Sequence, residues 1–257
     1  MGKSPAIIVL LVLLLMALPE PEALAAVDTL RGTADIADAM LIGYTNCVGE
    51  ISDEDCRRFN TGGASWLSSG TVGIGQESRT VIALPGWNGI VPDSARLELY
   101  CFREGDTVDR RVMAYPLTTP FIEGTELDYG VGNYPDPDSG VTWYHAYLDV
   151  GDGDSLNWST AGGDYTTVVA CTAIVADTSG WVVFSHFERL LALWDSTGMA
   201  YGCILINENA FPVNSTQKSF YSSESATGLG PRVVLYRSDG LRGSMRRRQA
   251  AAMLNHE

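Results

Sequence analysis

The amino-acid sequence predicts an all-β fold, an antiparallel jelly-roll β-sandwich with one short helix. Residues 95–101 alternate between apolar and polar side chains, and this period of two is typical of a half-buried strand. About nine or ten such short segments, rich in β-branched and aromatic residues, follow one another along the chain. Repeated helical crossovers, the mark of a parallel sheet, are absent from the pattern, and the jelly roll is therefore favoured.

The predicted strands begin with one near residues 27–45. A strand at 81–84 ends at Pro85 and Gly86, a pair that stops strands, and the alternating strand at 95–101 follows. In residues 111–117, Arg111, Met113, Tyr115 and Leu117 share a face. Residues 118–165 are predicted to be long loops. The later elements are strands at 166–175, 181–185, 201–206, 218–223 and 231–236, with a helix at 187–194.

Length and charge limit the classes of function. A chain of 257 residues with 46% hydrophobic content can build one sizeable core, so residues 27–237 are interpreted as a single domain. The formal net charge of −14 excludes nucleic acid as a partner, because that affinity depends on clustered lysine and arginine. An acidic surface serves solubility, and the alternative is that it recruits divalent cations.

The amino terminus predicts the compartment. Lys3 precedes an apolar run at 6–18, and the small-residue pattern at 23–25 is typical of a signal cleavage site. Residues 1–25 are therefore interpreted as a signal peptide, with an uncleaved anchor as the alternative, and the mature protein is expected to be secreted or at the cell surface. No later segment is apolar enough to cross a membrane, so no transmembrane span is expected after cleavage.

Five cysteines in an exported chain leave at least one unpaired. Cys47 and Cys56 flank a polar loop, and we predict that they form a disulfide. The other three cysteines each lie in an apolar strand segment: Cys101, Cys171 and Cys203. They are expected to be small buried hydrophobic residues, and a disulfide between two of them across neighbouring strands is the alternative.

Several motifs occur in a characteristic order. They are Arg79 with residues 90–100, then TTPFIEG at 118–124, VTW at 141–143, NWSTAGGDY at 157–165, WVVF at 181–184 and FYSSESA at 220–226. In this order the chain resembles the DNRLRE domain family, which is related to family 96 carbohydrate-binding modules. The resemblance implies a secreted or surface-exposed jelly roll that in some members binds polysaccharide. Phe121 stands where the family usually has tryptophan, and residues 144–155 are an insertion.

The insertion carries the clearest cation signal. Asp149, Asp152 and Asp154 are separated by glycines, and carboxylate oxygens on such a loop suit calcium. The alternative is an ordinary turn, since Asp and Gly are also turn formers. Asp164, after two glycines, is a second candidate calcium ligand. Its alternative is a tight turn in which the carboxylate accepts hydrogen bonds from nearby backbone amides.

Loop aromatics are the candidate sugar-binding residues, because a pyranose face is an apolar plane on which a ring can stack. They are Trp66, Trp87, Tyr129, Tyr134 and Tyr144, and partial packing is the alternative for each. Four other tryptophans lie on strand or helix motifs and are interpreted as core residues: Trp143, Trp158, Trp181 and Trp194.

Signals for catalysis are few, and no enzyme activity is predicted. The three histidines, His145, His186 and His256, lie in no nucleophile-elbow, zinc-protease or phosphate-loop pattern. A carboxylate pair drawn from Glu123, Glu126 and Asp128 is the glycosidase alternative.

The sequence thus predicts a non-catalytic module that binds polysaccharide or another surface glycan at or outside the cell surface. The alternative is a structural subunit that self-assembles or joins a larger extracellular complex, such as a cell envelope, a filament or a virion. The basic segment at 238–257 is expected to be a solvated extension, or else to contact an acidic partner.

Overall fold

The computed structural model describes residues 25–43, 56–73, 76–105, 107–125, 140–149, 151–176, 179–208 and 215–238. Val27–Tyr236 forms one compact unit; residues 1–26 and 237–257 form a second unit, of which only 25–26 and 237–238 are described. The predicted signal peptide up to residue 24, and the basic segment from residue 239, lie outside the described residues.

The described residues confirm an all-β fold, with mostly antiparallel strands and one α-helix. The strands are β1 (Ala25–Arg31), β2 (Ala37–Ile42), β3 (Trp66–Gly73), β4 (Gln76–Ala83), β5 (Ser94–Glu104), β6 (Arg110–Pro116), β7 (His145–Asp149), β8 (Asp154–Asn157), β9 (Cys171–Val175), β10 (Gly180–Ser185), β11 (Cys203–Asn207), β12 (Lys218–Tyr221) and β13 (Arg232–Ser238). The helix is α1 (Glu188–Thr197), and Cys56–Arg58 forms a short 3-10 turn.

Eleven of these strands form one large curled sheet with two layers. In the first layer, β5 pairs with β10 on one side and with β12 and β13 on the other. In the second layer, β4 pairs with β2 and β11, and β11 pairs in turn with β6 and β6 with β9. Strand β3 belongs to both layers, because Trp66–Ser69 pairs with β12 and Gly70–Gly73 pairs with β4. The change of layer occurs at Gly70, whose φ is +127°.

The main core lies between the layers. The predicted inner face of β5 is confirmed, since Ala95, Leu97, Leu99 and Cys101 are all buried. Helix α1 covers the core with Leu190, Leu191 and Trp194, the apolar residues whose spacing predicts it. Gly198 ends the helix in the left-handed conformation with φ +71°, and its amide donates to the Trp194 carbonyl. Burial of these faces is what stabilises the sandwich.

The structure differs from the predicted elements in three places. The single strand expected at 27–45 is two strands, β1 and β2, separated by a turn at Gly32. The strand expected at 166–175 is shorter, Cys171–Val175. On β6 the prediction is confirmed for Arg111, Met113 and Tyr115, which share a face opposite the buried Val112 and Ala114. Residues 118–165, expected to be loops, contain the hairpin β7–β8. Its second strand, DSLN, is exposed throughout, so no apolar alternation marks it.

Three of the four tryptophans assigned to the core are buried: Trp143, Trp158 and Trp194. The assignment of Trp181 to the core is wrong, because its side chain is 36% exposed on the outer face of β10. Val182 and Phe184 face inward on that strand, and alternation therefore turns Trp181 outward.

Cys101, Cys171 and Cys203 are buried thiols that form no disulfide with one another. Burial raises the pKa of Cys171 to about 12, which keeps its thiol protonated and unreactive. Cys56 is buried and is not one of the free thiols. Its predicted partner, Cys47, lies outside the described residues, and the disulfide stays a prediction. In the part of the chain that the structure describes, no helix is long and apolar enough to cross a membrane.

Candidate functional site

A continuous row of aromatic side chains lies on the outer face of the first layer. The row consists of Phe102, Tyr221, Tyr100 and Trp181, in that order, from strands β5, β12 and β10. The ring centres of Phe102 and Tyr221 are 4.5 Å apart, those of Tyr221 and Tyr100 6.0 Å, and those of Tyr100 and Trp181 5.4 Å. We call these four residues the aromatic row. Each is at least partly exposed, so the rings form a surface rather than a core.

The pairing of strands explains why these rings meet. Trp181 is directly opposite Tyr100 in the β10–β5 register, and Phe220, the neighbour of Tyr221, is opposite Cys101 on the other side of β5. Side chains directly opposite each other across antiparallel strands are close enough to interact. Tyr100 and Phe102 are on the outer side of the β5 alternation that buries Leu97 and Leu99.

Three arginines border the aromatic row at the Trp181 end: Arg31, Arg96 and Arg232. The guanidinium carbon of Arg232 lies 3.9 Å from the ring centre of Trp181, a cation–π contact. The buried carboxylate of Glu98 forms ion pairs with both Arg96 and Arg232 and holds them on this face. We call Arg31, Arg96 and Arg232 the arginine edge. With Glu98 as their counter-charge, they make a positive region on a protein whose formal charge is −14.

Two clefts open along the arginine edge. One, of about 390 Å³, is lined by Trp181, Arg31, Arg232 and the loop between β12 and β13, including Ser223 and Gly230. The other, of about 600 Å³, is lined by Arg31, Arg96, Arg232 and Tyr236 among others. Because the clefts share Arg31 and Arg232, they are neighbours, and the first of them reaches the aromatic row at Trp181.

A separate cleft of about 540 Å³ lies beside the β7–β8 hairpin. Its lining includes Arg58, Tyr144, His145 and Asn157. The guanidinium carbon of Arg57 lies 4.9 Å from the ring centre of Tyr144, which covers part of that ring. Burial, together with the charge of Arg58, lowers the pKa of His145 and favours its neutral form.

The other predicted sugar-binding residues lie apart from one another. Trp66 is partly buried and packs against the small cluster formed by Met40, Ile42, Cys56 and Phe59. Trp87 packs against Trp194 with ring centres 5.7 Å apart, and its Nε1 donates to the Ile90 carbonyl. Partial packing therefore describes both tryptophans. Tyr129 and Tyr134 lie outside the described residues. Tyr144 lines the cleft beside the β7–β8 hairpin.

The predicted calcium ligands of the insertion form the turn of the β7–β8 hairpin. Asp149 Oδ1 accepts hydrogen bonds from the amides of Gly151 and Asp152, at 2.9 and 3.2 Å. Its Oδ2 accepts from the Tyr147 hydroxyl at 2.9 Å, and this bond raises the pKa of Tyr147. Asp152 and Asp154 are exposed. This geometry is that of an Asx turn, and calcium binding at these residues stays a prediction.

Asp164 has the geometry of the tight turn. Its carboxylate accepts hydrogen bonds from the amides of Ser159 and Thr160, at 2.7 and 2.9 Å, and from the Thr119 hydroxyl at 3.2 Å. Burial by itself raises the pKa of Asp164, but these hydrogen bonds outweigh it and the pKa is lowered. Both oxygens are therefore used in holding the loop, and calcium at Asp164 also stays a prediction.

A third acidic group was not anticipated from the sequence. Asp38 on β2, Glu123 after β6 and Glu224 after β12 each offer an oxygen, and these atoms lie within 4.8 Å of one another. In the described residues this is the only such group of potential metal ligands. Glu126 and Asp128, the other members of the glycosidase alternative, lie outside the described residues. We call Asp38, Glu123 and Glu224 the carboxylate triad.

In comparisons with known proteins, no family model and no curated protein matches this chain. The resemblance to the DNRLRE family therefore stays an expectation. The aromatic row was predictable in part from the sequence, since Tyr100 and Phe102 occupy outward positions when the alternation is followed over residues 95–102. Its contact with Trp181 and Tyr221 depends on strand pairing, for which the sequence has no local signal.

Proposed function

We propose that this chain is an exported, non-catalytic jelly-roll module that binds an acidic polysaccharide on the aromatic row and the arginine edge. The observation that carries the proposal is the exposed run of four contacting rings beside three arginines. Exposed apolar surface of this kind, rimmed by polar groups, marks an interaction site.

The two parts of the face suit different parts of such a ligand. Rings fixed on neighbouring strands present flat apolar surface to the CH-rich faces of sugar rings, and they lose little side-chain entropy on binding because they are already packed together. Guanidinium groups pair with the carboxylates of uronic acids through charge-assisted hydrogen bonds. Two arginines that share the single carboxylate of Glu98 retain positive charge for an external anion.

Replacing Trp181 with alanine is expected to weaken polysaccharide binding about tenfold or more, because the ring that joins the aromatic row to the arginine edge is lost. Native gel electrophoresis with polygalacturonate in the gel measures the dissociation constant from the retardation of the band.

Arg31→Ala is expected to weaken binding to this uronate polymer and to leave binding to a neutral β-glucan unchanged. Added salt should reduce the effect of Arg31, since the arginine is exposed.

Tyr144→Ala is the matched control, since Tyr144 lies in the separate cleft beside the β7–β8 hairpin. It should bind as the wild type does. The assignment to the aromatic row is wrong if Tyr144→Ala abolishes retardation while Trp181→Ala preserves it. Polysaccharide binding itself is contradicted if the wild type is retarded neither by uronate nor by neutral polymers.

The alternative function, assembly with further copies, is favoured by two of the edge strands, β9 and β10. Of the described strands, β9 pairs only with β6 and β10 only with β5. Ile174 on β9 and Val183 on β10 are 57% and 40% exposed, and exposed apolar edges are templates for association.

If the chain assembles through these edges, Ile174→Lys is expected to convert an oligomer to a monomer, because a lysine on an edge strand opposes pairing. Size-exclusion chromatography with light scattering measures the mass over a range of protein concentrations. A wild-type chain that stays monomeric at the highest concentration contradicts assembly and leaves polysaccharide binding as the function.

A further inference from the structure

The carboxylate triad brings together three acidic side chains that are distant along the chain. Asp38 is fully buried, and Glu123 and Glu224 are partly buried. Burial raises the pKa of Glu123 to about 7; a hydrogen bond from the Asp38 amide opposes the shift, and the nearby Glu224 carboxylate adds to it. Burial also raises the pKa of Asp38, with further contributions from Glu224 and Glu123. Three acids in one buried place repel one another unless a positive charge is supplied.

The described residues around the triad do not supply that charge. None of the ion pairs in the described part of the chain involves Asp38, Glu123 or Glu224. Asp38 Oδ1 and Glu224 Oε2 are buried without any hydrogen-bond partner. A buried acceptor without a donor is costly, and a bound cation, a water or a proton relieves that cost.

The other oxygens of the triad are bound and oriented. The Ser223 amide donates to Asp38 Oδ2 at 3.0 Å, and the Ser223 hydroxyl to Glu224 Oε1 at 2.7 Å. The Asp38 amide donates to Glu123 Oε1. Asp38 and Glu224 thus each have one oxygen held by the protein and one left for a ligand.

The backbone of Glu123 is held just as closely. Asn60 Nδ2 donates to the carbonyls of Glu123 and Val141, and Asn60 Oδ1 accepts from the Gly62 amide. A side chain at Gly62 would come within 2.2 Å of the Glu123 carbonyl oxygen, so the close approach of this loop requires a glycine. The triad is therefore preorganised rather than gathered by chance on a surface.

We propose that Asp38, Glu123 and Glu224 bind one hard divalent cation, calcium in the first place. Calcium binds carboxylate oxygens at about 2.3–2.6 Å, so two ligands on opposite sides of one ion are at most about 5 Å apart. Donor atoms that all lie within 4.8 Å of one another fit that limit. The donors are all oxygen, with neither histidine nor cysteine, and this favours calcium or magnesium over zinc or copper.

This site is independent of the polysaccharide proposal, and it is different from the predicted calcium loop at Asp149, Asp152 and Asp154. The cation would link β2 to the loops that follow β6 and β12. The loop after β12 also lines the cleft beside Trp181 through Ser223. The site thereby fixes one wall of that cleft, whatever the cleft binds.

The test is calcium titration of the full chain at pH 7.5, followed by calorimetry and by thermal unfolding. We expect one calcium per chain, and a melting temperature that rises by about 5–10 °C when free calcium exceeds the dissociation constant a hundredfold, since the ligand binds only the folded state. Magnesium at the same concentration should give a smaller rise, because it accepts less variation in geometry. EDTA should reverse both effects.

Asp38→Asn and Glu224→Gln preserve the size of the side chains and remove one charge each. Both variants should lose the calcium response, with at least a tenfold weaker binding constant. The control is the double variant Asp152→Asn, Asp154→Asn, whose positions are exposed on the hairpin; it should respond to calcium as the wild type does. If it alone loses the response, calcium binds at the insertion and the triad proposal is overturned.

The competing explanation is that the triad holds protons and no metal. In that case the wild type binds no calcium by calorimetry, its melting temperature is insensitive to EDTA, and Asp38→Asn is as stable as the wild type or more stable. The absence of calcium binding overturns the proposal, and so does a melting temperature that is insensitive to EDTA. The binding measurement on the wild type decides the question even if a variant fails to fold.

Discussion

Replacing Phe184 with alanine is expected to lower the free energy of unfolding by about 3–5 kcal/mol, the usual cost of deleting a buried aromatic ring. Phe184 is fully buried and faces the main core from β10. Its strand is joined to β5 over six residue pairs, so the backbone cannot move far to fill the cavity. Urea unfolding followed by tryptophan fluorescence measures the change as a shift of the midpoint.

Val183→Ala on the same strand is the control for this prediction. Val183 faces outward and is 40% exposed, so its loss should change the free energy of unfolding by no more than about 0.5 kcal/mol. Equal effects of the two substitutions would contradict the assignment of the two faces of β10.

Gly70→Ala is expected to destabilise the protein by about 2–4 kcal/mol, because strain and overpacking act at the same residue. Its φ of +127° is rarely adopted by residues that have a side chain. A Cβ atom there would lie 2.7 Å from the Thr216 carbonyl oxygen and 2.9 Å from Gln217 Cα, both backbone atoms. The substitution acts at the point where β3 passes from β12 to β4.

Substitutions at two other glycines separate the cost of backbone strain from the cost of overpacking. The free energy of unfolding of each variant is again measured by urea unfolding. Gly89 has φ +79° with no atom within 4 Å of a built Cβ, so Gly89→Ala should cost only the backbone strain, about 1 kcal/mol. Gly180 has neither feature, and Gly180→Ala should have little effect. A Gly70→Ala variant no less stable than Gly180→Ala would mean that β3 does not cross between the layers at this residue.

Patterns that depend on one element were predictable from the sequence. Alternation in residues 95–101 identified the inner face of β5, and the spacing of Phe187, Leu190, Leu191 and Trp194 identified the helix, because burial follows the periodicity of the backbone. The same reasoning failed for β8, where all four side chains are exposed and local hydrogen bonding defines the strand. The core prediction for Trp181 is wrong because the alternation of β10 turns this residue outward in spite of its hydrophobicity.

Features that depend on pairing between distant segments were not predictable. Nothing near Asp38, Glu123 or Glu224 indicates that the three carboxylates meet, since they lie in segments far apart along the chain. The same is true of the aromatic row, which requires the registers of β5 with both β10 and β12. The Asp-Gly segment of the insertion shows the opposite case. Its sequence pattern suggests a calcium site strongly, but the Asp149 carboxylate accepts hydrogen bonds from the backbone amides of its own turn.

The position of β3 has a consequence for how the chain folds. Its first half pairs only with β12, and Ser68 is hydrogen-bonded to Gln217, 149 residues later in the chain. Strand β5 likewise takes all its partners from β10, β12 and β13, which are synthesised after it. Contacts of such long sequence separation make folding slow, because loop closure must precede the stabilising contacts. The first layer therefore cannot be completed during synthesis until the last strands have emerged.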